Sequence, residues 1–308
     1  WELPELPRDA KGRAIVNLLN LNEGEKVASC RPVRDFHLPD HYLLMATARG
    51  LVKKTELSAY GRPMKGGIIA VKLREGDELV GAVITRKGDE IVLSTADGMA
   101  IRFSEADVRP MGRNASGVKG ITLRGNDQVV GVVVADPEAA LLTVCAKGYG
   151  KRTPFGPNAE AQEDGDAALG ENAGEPPVEE QEGDDLAPDL APETTAEEPS
   201  AEGAEEEGDE EVSSQFYYRT QRRGGKGIRD IKTGERNGPV VGVVAVHEND
   251  QVLMMTALGK IQRIHVREIR LSGRNTKGVR LMNLDEGDEL VAVKRIPPDE
   301  DDEPAPVV

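Results

Sequence analysis

The chain has 308 residues, with 39 Lys and Arg against 55 Asp and Glu, which gives a formal net charge of −16 at pH 7. That balance argues against a nucleic-acid binder, because phosphate recognition depends on Lys and Arg. The average conceals a partition, since residues 158–212 carry 22 acids and no base, and residues 297–308 carry five more acids. The remaining 241 residues combine 39 bases with 28 acids, so a basic body of net charge +11 carries two acidic appendages.

Composition also narrows the setting in which the chain works. The two cysteines, Cys30 and Cys145, are far apart and fit a reducing cytoplasm better than a disulfide framework. The longest apolar run, Val129–Ala135, is far too short to span a membrane. The chain opens on Trp1 without a signal peptide, so we expect a fragment excised from a longer cytoplasmic protein.

Two sequence signatures recur along the chain. The first is Ala-x-Gly with a Lys or Arg four residues after the glycine, and strand-like runs flank each copy. Glycine supplies the positive φ that a tight turn needs, so each copy predicts a β-hairpin. The four copies are Ala48-x-Gly50 with Lys54, Ala96-x-Gly98 with Arg102, Ala146-x-Gly148 with Arg152, and Ala257-x-Gly259 with Arg263.

The second signature is a glycine that opens a short apolar segment, and a further apolar run follows it. Its copies are Gly67–Leu73, Gly117–Leu123 and Gly278–Leu284, with looser copies at Gly12–Leu18 and Gly227–Ile231. The two signatures together predict a repeat of about 50 residues that contains four short strands. This division predicts blades at 34–89, 90–139, 140–246 and 247–296, preceded at 1–33 by the second half of an incomplete blade.

The period and strand number predict the fold class. One small sheet cannot bury both of its faces alone, so a run of such units predicts an all-β, propeller-like array of four-stranded blades. Residues 158–212 are too poor in apolar side chains to fold and predict a disordered acidic insert within the third complete blade. The tail at 297–308 is predicted to be disordered for the same reason.

The hinge between the two halves of each unit is the candidate binding site. Three hinges share Arg-x-x-Lys-Gly, and the hinge at 221–227 places three bases and three glycines within seven residues. Glycines let backbone amides approach an anion, and the flanking bases add charge that pairs with phosphate. The simpler alternative is an exposed turn in which glycine serves geometry and the bases serve solubility.

Recurrence of this pattern on a basic body favours phosphate binding. The predicted contacts are Arg8, Lys11, Arg62, Lys65, Arg113, Lys119, Arg274 and Lys277, together with the whole heptad Gln221, Arg222, Arg223, Gly224, Gly225, Lys226 and Gly227.

Several of these segments resemble the C-terminal domain of the A subunit of bacterial DNA gyrase. They are the heptad 221–227, Gly148–Thr153, Gly273–Gly278 and Val52–Thr55, and the likeness extends over the 241 residues outside the acidic segments. The heptad is similar to the gyrase A-box of that family, and we refer to it as the box. The family usually has its box in the first blade, so either an earlier box precedes this chain or the box has moved.

The resemblance implies a β-pinwheel whose blades exchange strands and whose basic rim wraps duplex DNA, which lets the parent enzyme introduce negative supercoils. It implies partnership with the N-terminal part of the gyrase A subunit and with the gyrase B subunit in an A2B2 assembly, in the bacterial cytoplasm with the chromosome. ATP and Mg²⁺ would be used elsewhere in that enzyme. In this chain we expect no catalytic residue, cofactor or metal, and the isolated domain is expected to be a monomer.

Two alternatives stay open. The first is the paralogous domain of the topoisomerase IV A subunit, which usually carries a degraded box, whereas the heptad here is intact. The second is a propeller-like scaffold whose basic face binds an acidic protein partner.

Overall fold

A computed structural model of the chain describes residues 24–62, 64, 67–158 and 216–298, together with residues 7, 10 and 21. The predicted phosphate contacts Arg8, Lys11 and Lys65 lie outside these described residues. So do nearly all of the predicted insert, the tail from residue 299 onward, and most of the predicted half blade at 1–33. The structure therefore addresses the four predicted complete units.

The strands of the described residues occur in four repeats of the same order. Each repeat begins with a hairpin whose turn lies at the first signature, and it ends with a longer strand; a two-residue strand lies between them in the second, third and fourth repeats. The hairpins are β1 (His41–Thr47) with β2 (Leu51–Glu56), β4 (Glu90–Thr95) with β5 (Met99–Ser104), β8 (Ala140–Cys145) with β9 (Tyr149–Pro154), and β12 (Gln251–Thr256) with β13 (Ile261–His265). The two-residue strands are β6 (Val118–Lys119), β10 (Ile228–Arg229) and β14 (Val279–Arg280), and the closing strands are β3 (Leu79–Arg86), β7 (Val129–Ala135), β11 (Val240–Val246) and β15 (Leu290–Ile296).

Consecutive repeats exchange strands. The sheet orders are β3-β1-β2-β6, β7-β4-β5-β10, β11-β8-β9-β14 and β15-β12-β13, so each of the first three sheets takes its outer strand from the following repeat. The sequence predicts such a strand at Gly67–Leu73, but this segment forms none. A strand needs a hydrogen-bonded partner, and the described residues contain no preceding hairpin that could supply one.

Successive sheets pack against each other face to face, and their closing strands lie next to one another. The closing strands β3, β7, β11 and β15 contact one another in sequence, while the outer strands lie at the opposite edge of each sheet. Three apolar clusters fill the spaces between successive sheets, and β8, which contributes to two of them, is buried along its whole length. Burial on both faces explains why this strand is a continuous apolar run.

The all-β, propeller-like fold class predicted from the repeat period is confirmed. In the described part of the chain, no helix is long and apolar enough to cross a membrane.

Candidate nucleic-acid interface

Each outer strand enters its sheet through a glycine that leaves no room for a side chain. Gly227 precedes β10 with a φ of +71°, and a Cβ built on it would lie 2.5 Å from the Ala100 carbonyl oxygen. At Gly117 and Gly278 the corresponding distances to a carbonyl oxygen of the neighbouring hairpin are 2.4 and 2.6 Å. The second signature therefore begins with glycine because the outer strand has to cross the backbone of that hairpin.

The box docks on the outer-strand segment of the preceding repeat. The Gly224 N–H donates to the Gly120 carbonyl (2.7 Å), and the Thr122 N–H and hydroxyl donate to the carbonyls of Gly225 and Gly224 (2.8 and 2.7 Å). From the sequence, these glycine amides are expected to face phosphate. The amides of Gly224 and Gly225 instead have carbonyl partners, so the two glycines serve the close packing of one repeat on another.

Neighbouring hinges dock in a similar way. The Lys72 N–H donates to the Ala115 carbonyl (3.1 Å), and the Lys232 N–H donates to the Thr276 carbonyl (2.8 Å). Each hinge is thereby tied to the outer-strand segment of the repeat before it. We call this set of segments the rim; it consists of the hinges 111–117, 221–227 and 272–278 and the outer strands β6, β10 and β14.

Arg223 of the box has a structural role. Its Nε donates to the Asp107 carbonyl (3.0 Å) and its Nη1 donates to the Lys119 carbonyl, so the guanidinium joins the box to the second repeat. Arg222 and Lys226 are exposed. Of the three box bases, Arg222 and Lys226 are therefore the two whose charge is directed to solvent.

Exposed bases recur at two positions of the repeat. One position is the second residue of each outer strand, and the other immediately precedes the signature glycine in two hinges. The bases are Lys119, Arg229 and Arg280 at the first position and Lys226 and Lys277 at the second. Sequence reasoning missed Arg229 and Arg280, although both stand in register with Lys119, two residues after the signature glycine.

Arg280 belongs to a cluster around Tyr149. Its Nη2 donates to the Tyr149 hydroxyl (2.9 Å), and the guanidinium carbons of Arg236 and Arg280 lie 5.1 and 5.3 Å from the centre of the ring. Hydrogen bonds from these two arginines lower the pKa of Tyr149. The aromatic face and hydroxyl thus hold two cations close together at the joint between the third and fourth repeats.

The remaining predicted phosphate contacts within the described residues differ in their exposure to solvent. Arg62 is exposed in the hinge of the first repeat, and Arg113 and Arg274 are half-buried. Burial lowers the pKa of Arg274, and the negative charge of Asp230 acts to raise it. Arg113 offers its own carbonyl to the buried ammonium of Lys53. Of these three bases, Arg62 is therefore the one that is most accessible to solvent.

The Lys or Arg of the first signature is buried in three of the four repeats. In these repeats it forms an ion pair with a carboxylate, whereas Arg263 of the fourth repeat is exposed. The pairs are Lys54 with Glu105, Arg102 with Glu90, and Arg152 with Glu248. All three bases are buried, so loss of the carboxylate would leave a buried charge unpaired in each repeat, and these bases support the fold rather than the rim.

Arg102 also joins the two described segments that flank residues 159–215. Its Nη1 donates to the carbonyls of Phe155 (2.6 Å) and Tyr218 (3.0 Å), and its Nη2 donates to the Asn158 side chain (2.6 Å). The Thr220 hydroxyl completes this arrangement by donating to the carboxylate of Glu90, the partner of Arg102 (2.6 Å). The chain therefore leaves and re-enters the described fold directly beside the box.

The described ranges contain no group of three His, Cys, Asp or Glu side chains that could hold a metal ion. Burial raises the pKa of the Cys145 thiol to about 12, which keeps it protonated and unreactive.

Comparison with known proteins assigns the family. The family model described as "DNA gyrase C-terminal domain, beta-propeller" matches residues 1–34, 41–86, 89–136, 218–247 and 250–297. The chain is 38% identical over 303 residues to the DNA gyrase A subunit of Salmonella typhimurium, a match that covers 98% of this chain and 28% of that protein. It is 35% identical over 297 residues to the DNA gyrase A subunit of Mycolicibacterium smegmatis, with 96% and 28% coverage. The chain thus spans less than a third of the length of these relatives.

Solved structures support the fold. A DNA gyrase A C-terminal domain aligns with a TM-score of 0.66 at 24% identity, covering 93% of this chain and 76% of that one. The C-terminal domain of a DNA topoisomerase IV aligns with a TM-score of 0.67 at 20% identity, covering 93% and 71%. With the family match over most of the described residues, the chain belongs to the DNA gyrase C-terminal domain family.

Proposed function

We propose that this chain binds duplex DNA along the rim and wraps it, as the C-terminal domain of a DNA gyrase A subunit. The observation that supports this most strongly is the exposed base in every outer strand, at Lys119, Arg229 and Arg280. Cations that recur with the period of the fold present charge along a path rather than at a point. Duplex DNA is a polyanion with regularly spaced phosphates and suits such a path.

The mechanism is electrostatic. Bases on the rim replace counterions along the duplex, and the release of those counterions drives binding. Bending a site of about 20–30 bp by about 40–90° costs on the order of 1–6 kcal/mol, which contacts spread along several repeats offset. Because the contacts are made to phosphates, little sequence specificity is expected.

We assign the chemistry to other parts of the parent enzyme. The chain would join the N-terminal part of the gyrase A subunit and the gyrase B subunit in an A2B2 assembly in the bacterial cytoplasm, where ATP and Mg²⁺ are used outside this domain. Its own contribution would be the handedness of the wrapped DNA, which makes strand passage introduce negative supercoils.

The C-terminal domain of the topoisomerase IV A subunit is a second candidate, because the solved domain of a topoisomerase IV is similar in fold. The intact box favours gyrase. The full-length relatives at 35–38% identity named above are gyrase subunits.

Filter binding of the purified chain to linear duplexes of increasing length tests the proposal. We expect affinity to rise with length and log K to fall with log salt at a slope near −9, if about ten phosphates are neutralised. A slope shallower than about −3 would leave only a local contact and exclude wrapping. Absence of DNA affinity would favour the protein-interaction scaffold. Rejoined to the rest of its subunit and combined with the B subunit, the chain should support negative supercoiling.

A further inference from the structure

A polar cluster lies buried beneath the box. The carboxylate of Asp230 accepts hydrogen bonds from the hydroxyls of Tyr218 and Thr143, both at 2.6 Å, and it pairs with the ammonium of Lys151 at 3.0 Å. All four side chains are about 1% exposed. Both oxygens of the carboxylate have partners, so the buried charge is compensated.

Neighbouring repeats build the same layer without this polar cluster. The positions that correspond to Tyr218 hold Val108 and Ile269, which are buried in apolar clusters. The position of Thr143 is likewise apolar in the other three repeats, and that of Asp230 holds no polar side chain in any of them. The residues there are Met45, Leu93 and Met254 at the first position, and Ala70, Gly120 and Leu281 at the second.

This difference implies a role beyond the core. The other three repeats fold without a carboxylate at the position of Asp230 and without a hydroxyl at the position of Thr143, so a buried carboxylate with two hydroxyl donors is not a requirement of the blade. Its desolvation opposes folding and has to be offset by hydrogen bonds and by the Lys151 charge. Among the four described repeats, the buried carboxylate with two hydroxyl donors occurs only in the repeat that carries the box.

We propose that Tyr218 and Asp230 are positioning residues for the box. Tyr218 precedes the box by three residues and Asp230 follows it by three. The hydrogen bond between them therefore links the two ends of the loop that contains the box. Lys151 fixes this closure to β9, and it also donates to the Gly273 carbonyl in the next hinge (2.9 Å). Arg222 and Lys226 are thereby held in place before DNA arrives, which lowers the entropy lost on binding.

The inference rests on the proposed function. A double-mutant cycle distinguishes failure of the inference from failure of the proposed function. Tyr218→Phe removes only the hydroxyl and keeps the ring that packs near Phe155. We expect it to weaken binding to a linear duplex by roughly three- to tenfold, the range set by the net contribution of one hydrogen bond. Tyr217→Phe is the matched control, since Tyr217 is exposed, and it should leave affinity unchanged.

The second arm of the cycle repeats Tyr218→Phe in a chain that already carries Arg222→Ala and Lys226→Ala. If Tyr218 acts through the box, the hydroxyl no longer matters there and the added loss falls to within about twofold. A purely structural role would give the full loss in both backgrounds, and this result would overturn the inference.

Two further outcomes are distinguishable. If Arg222→Ala with Lys226→Ala leaves DNA affinity unchanged, the proposed function of the box is wrong, and the inference falls with it. If the double variant weakens binding but Tyr218→Phe does not, the inference alone is wrong. Thermal unfolding of each variant is followed in parallel. Thr143→Val, which removes one donor to Asp230 at nearly constant volume, takes the place of Tyr218→Phe in the cycle if the latter is unfolded at the assay temperature.

Discussion

The three sheets that receive an outer strand differ from the fourth in what surrounds one repeated glycine. A Cβ built on Gly98 would lie 2.3 Å from the Ile231 carbonyl oxygen, and one on Gly148 would lie 2.4 Å from that of Met282. Gly259 occupies the same repeat position with a φ of +88°, yet nothing lies within 4 Å of its Cβ position. The same sequence signature thus meets two different requirements, a turn in every repeat and a close backbone approach only where a strand arrives.

The outer face of the hairpin shows the same contrast. Val52 of β2 pairs with Val118 of β6 and is fully buried. Ile261, at the corresponding position of β13, is 59% exposed, because the fourth sheet has no outer strand among the described residues. Burial in this fold therefore depends on the neighbouring repeat as much as on the hairpin itself.

Alanine at the two kinds of glycine gives the largest expected difference. Gly259→Ala should cost about 1 kcal/mol of unfolding free energy, because alanine is strained in a left-handed backbone conformation. Gly98→Ala introduces the same strain and also displaces the outer strand, so we expect a loss of about 3 kcal/mol or more. Urea unfolding of both variants measures the difference. Equal losses would mean that the approach of the outer strand contributes nothing to stability.

A second pair of variants distinguishes an arginine that stabilises the fold from an arginine that binds DNA, both in the third repeat. Arg223→Ala removes donors to the Asp107 and Lys119 carbonyls and should lower stability by about 1–3 kcal/mol. Arg229→Ala removes an exposed base and should change stability by no more than about 0.5 kcal/mol. It should instead weaken DNA binding and reduce the salt slope by about 1.

Urea unfolding and salt titrations of DNA affinity on the same samples test this division. If Arg229→Ala lowers stability while Arg223→Ala lowers only affinity, the two roles assigned from the contacts are reversed.

The repeat architecture was accessible from sequence because its signals are local. Turn glycines at a fixed spacing, such as Gly50 and Gly98, predict hairpins without knowledge of their neighbours. The predicted strand at Gly67–Leu73 was wrong because pairing is not a local property. A two-residue strand exists only where another repeat offers an edge, and that information is absent from the segment itself.

The site was predictable in part for the same reason. Arg222 and Lys226 follow from the density of bases and glycines in one heptad. The role of Arg223 could not be deduced from that heptad, since its partners lie more than 100 residues earlier in the chain. The polar layer of Tyr218 and Asp230 is likewise visible only when positions from different segments are brought together by the fold.

A buried lysine extends the comparison to two sheets that both receive an outer strand. Lys53 and Lys151 share a repeat position. Lys151 pairs with the carboxylate of Asp230, whereas the partners of Lys53 among the described residues are the carbonyls of Ala70 and Arg113. Burial, with a smaller contribution from the Arg113 charge, lowers the pKa of Lys53 from 10.5 to about 8. Between these two values the unfolded chain binds the proton more tightly, so stability should rise with pH from about 8 to about 10.5, and the full penalty is present below pH 8.

Lys53→Ile isolates this effect, because the second repeat carries Ile101 at the same position. The unfolding free energy of the wild-type chain minus that of the variant should increase through the window from about pH 8 to pH 10.5, since only the wild-type chain loses the penalty there. Urea unfolding at half-unit pH steps measures this difference. Curves that stay parallel across the window would show that Lys53 keeps its proton in the fold because the carbonyls of Ala70 and Arg113 compensate its ammonium.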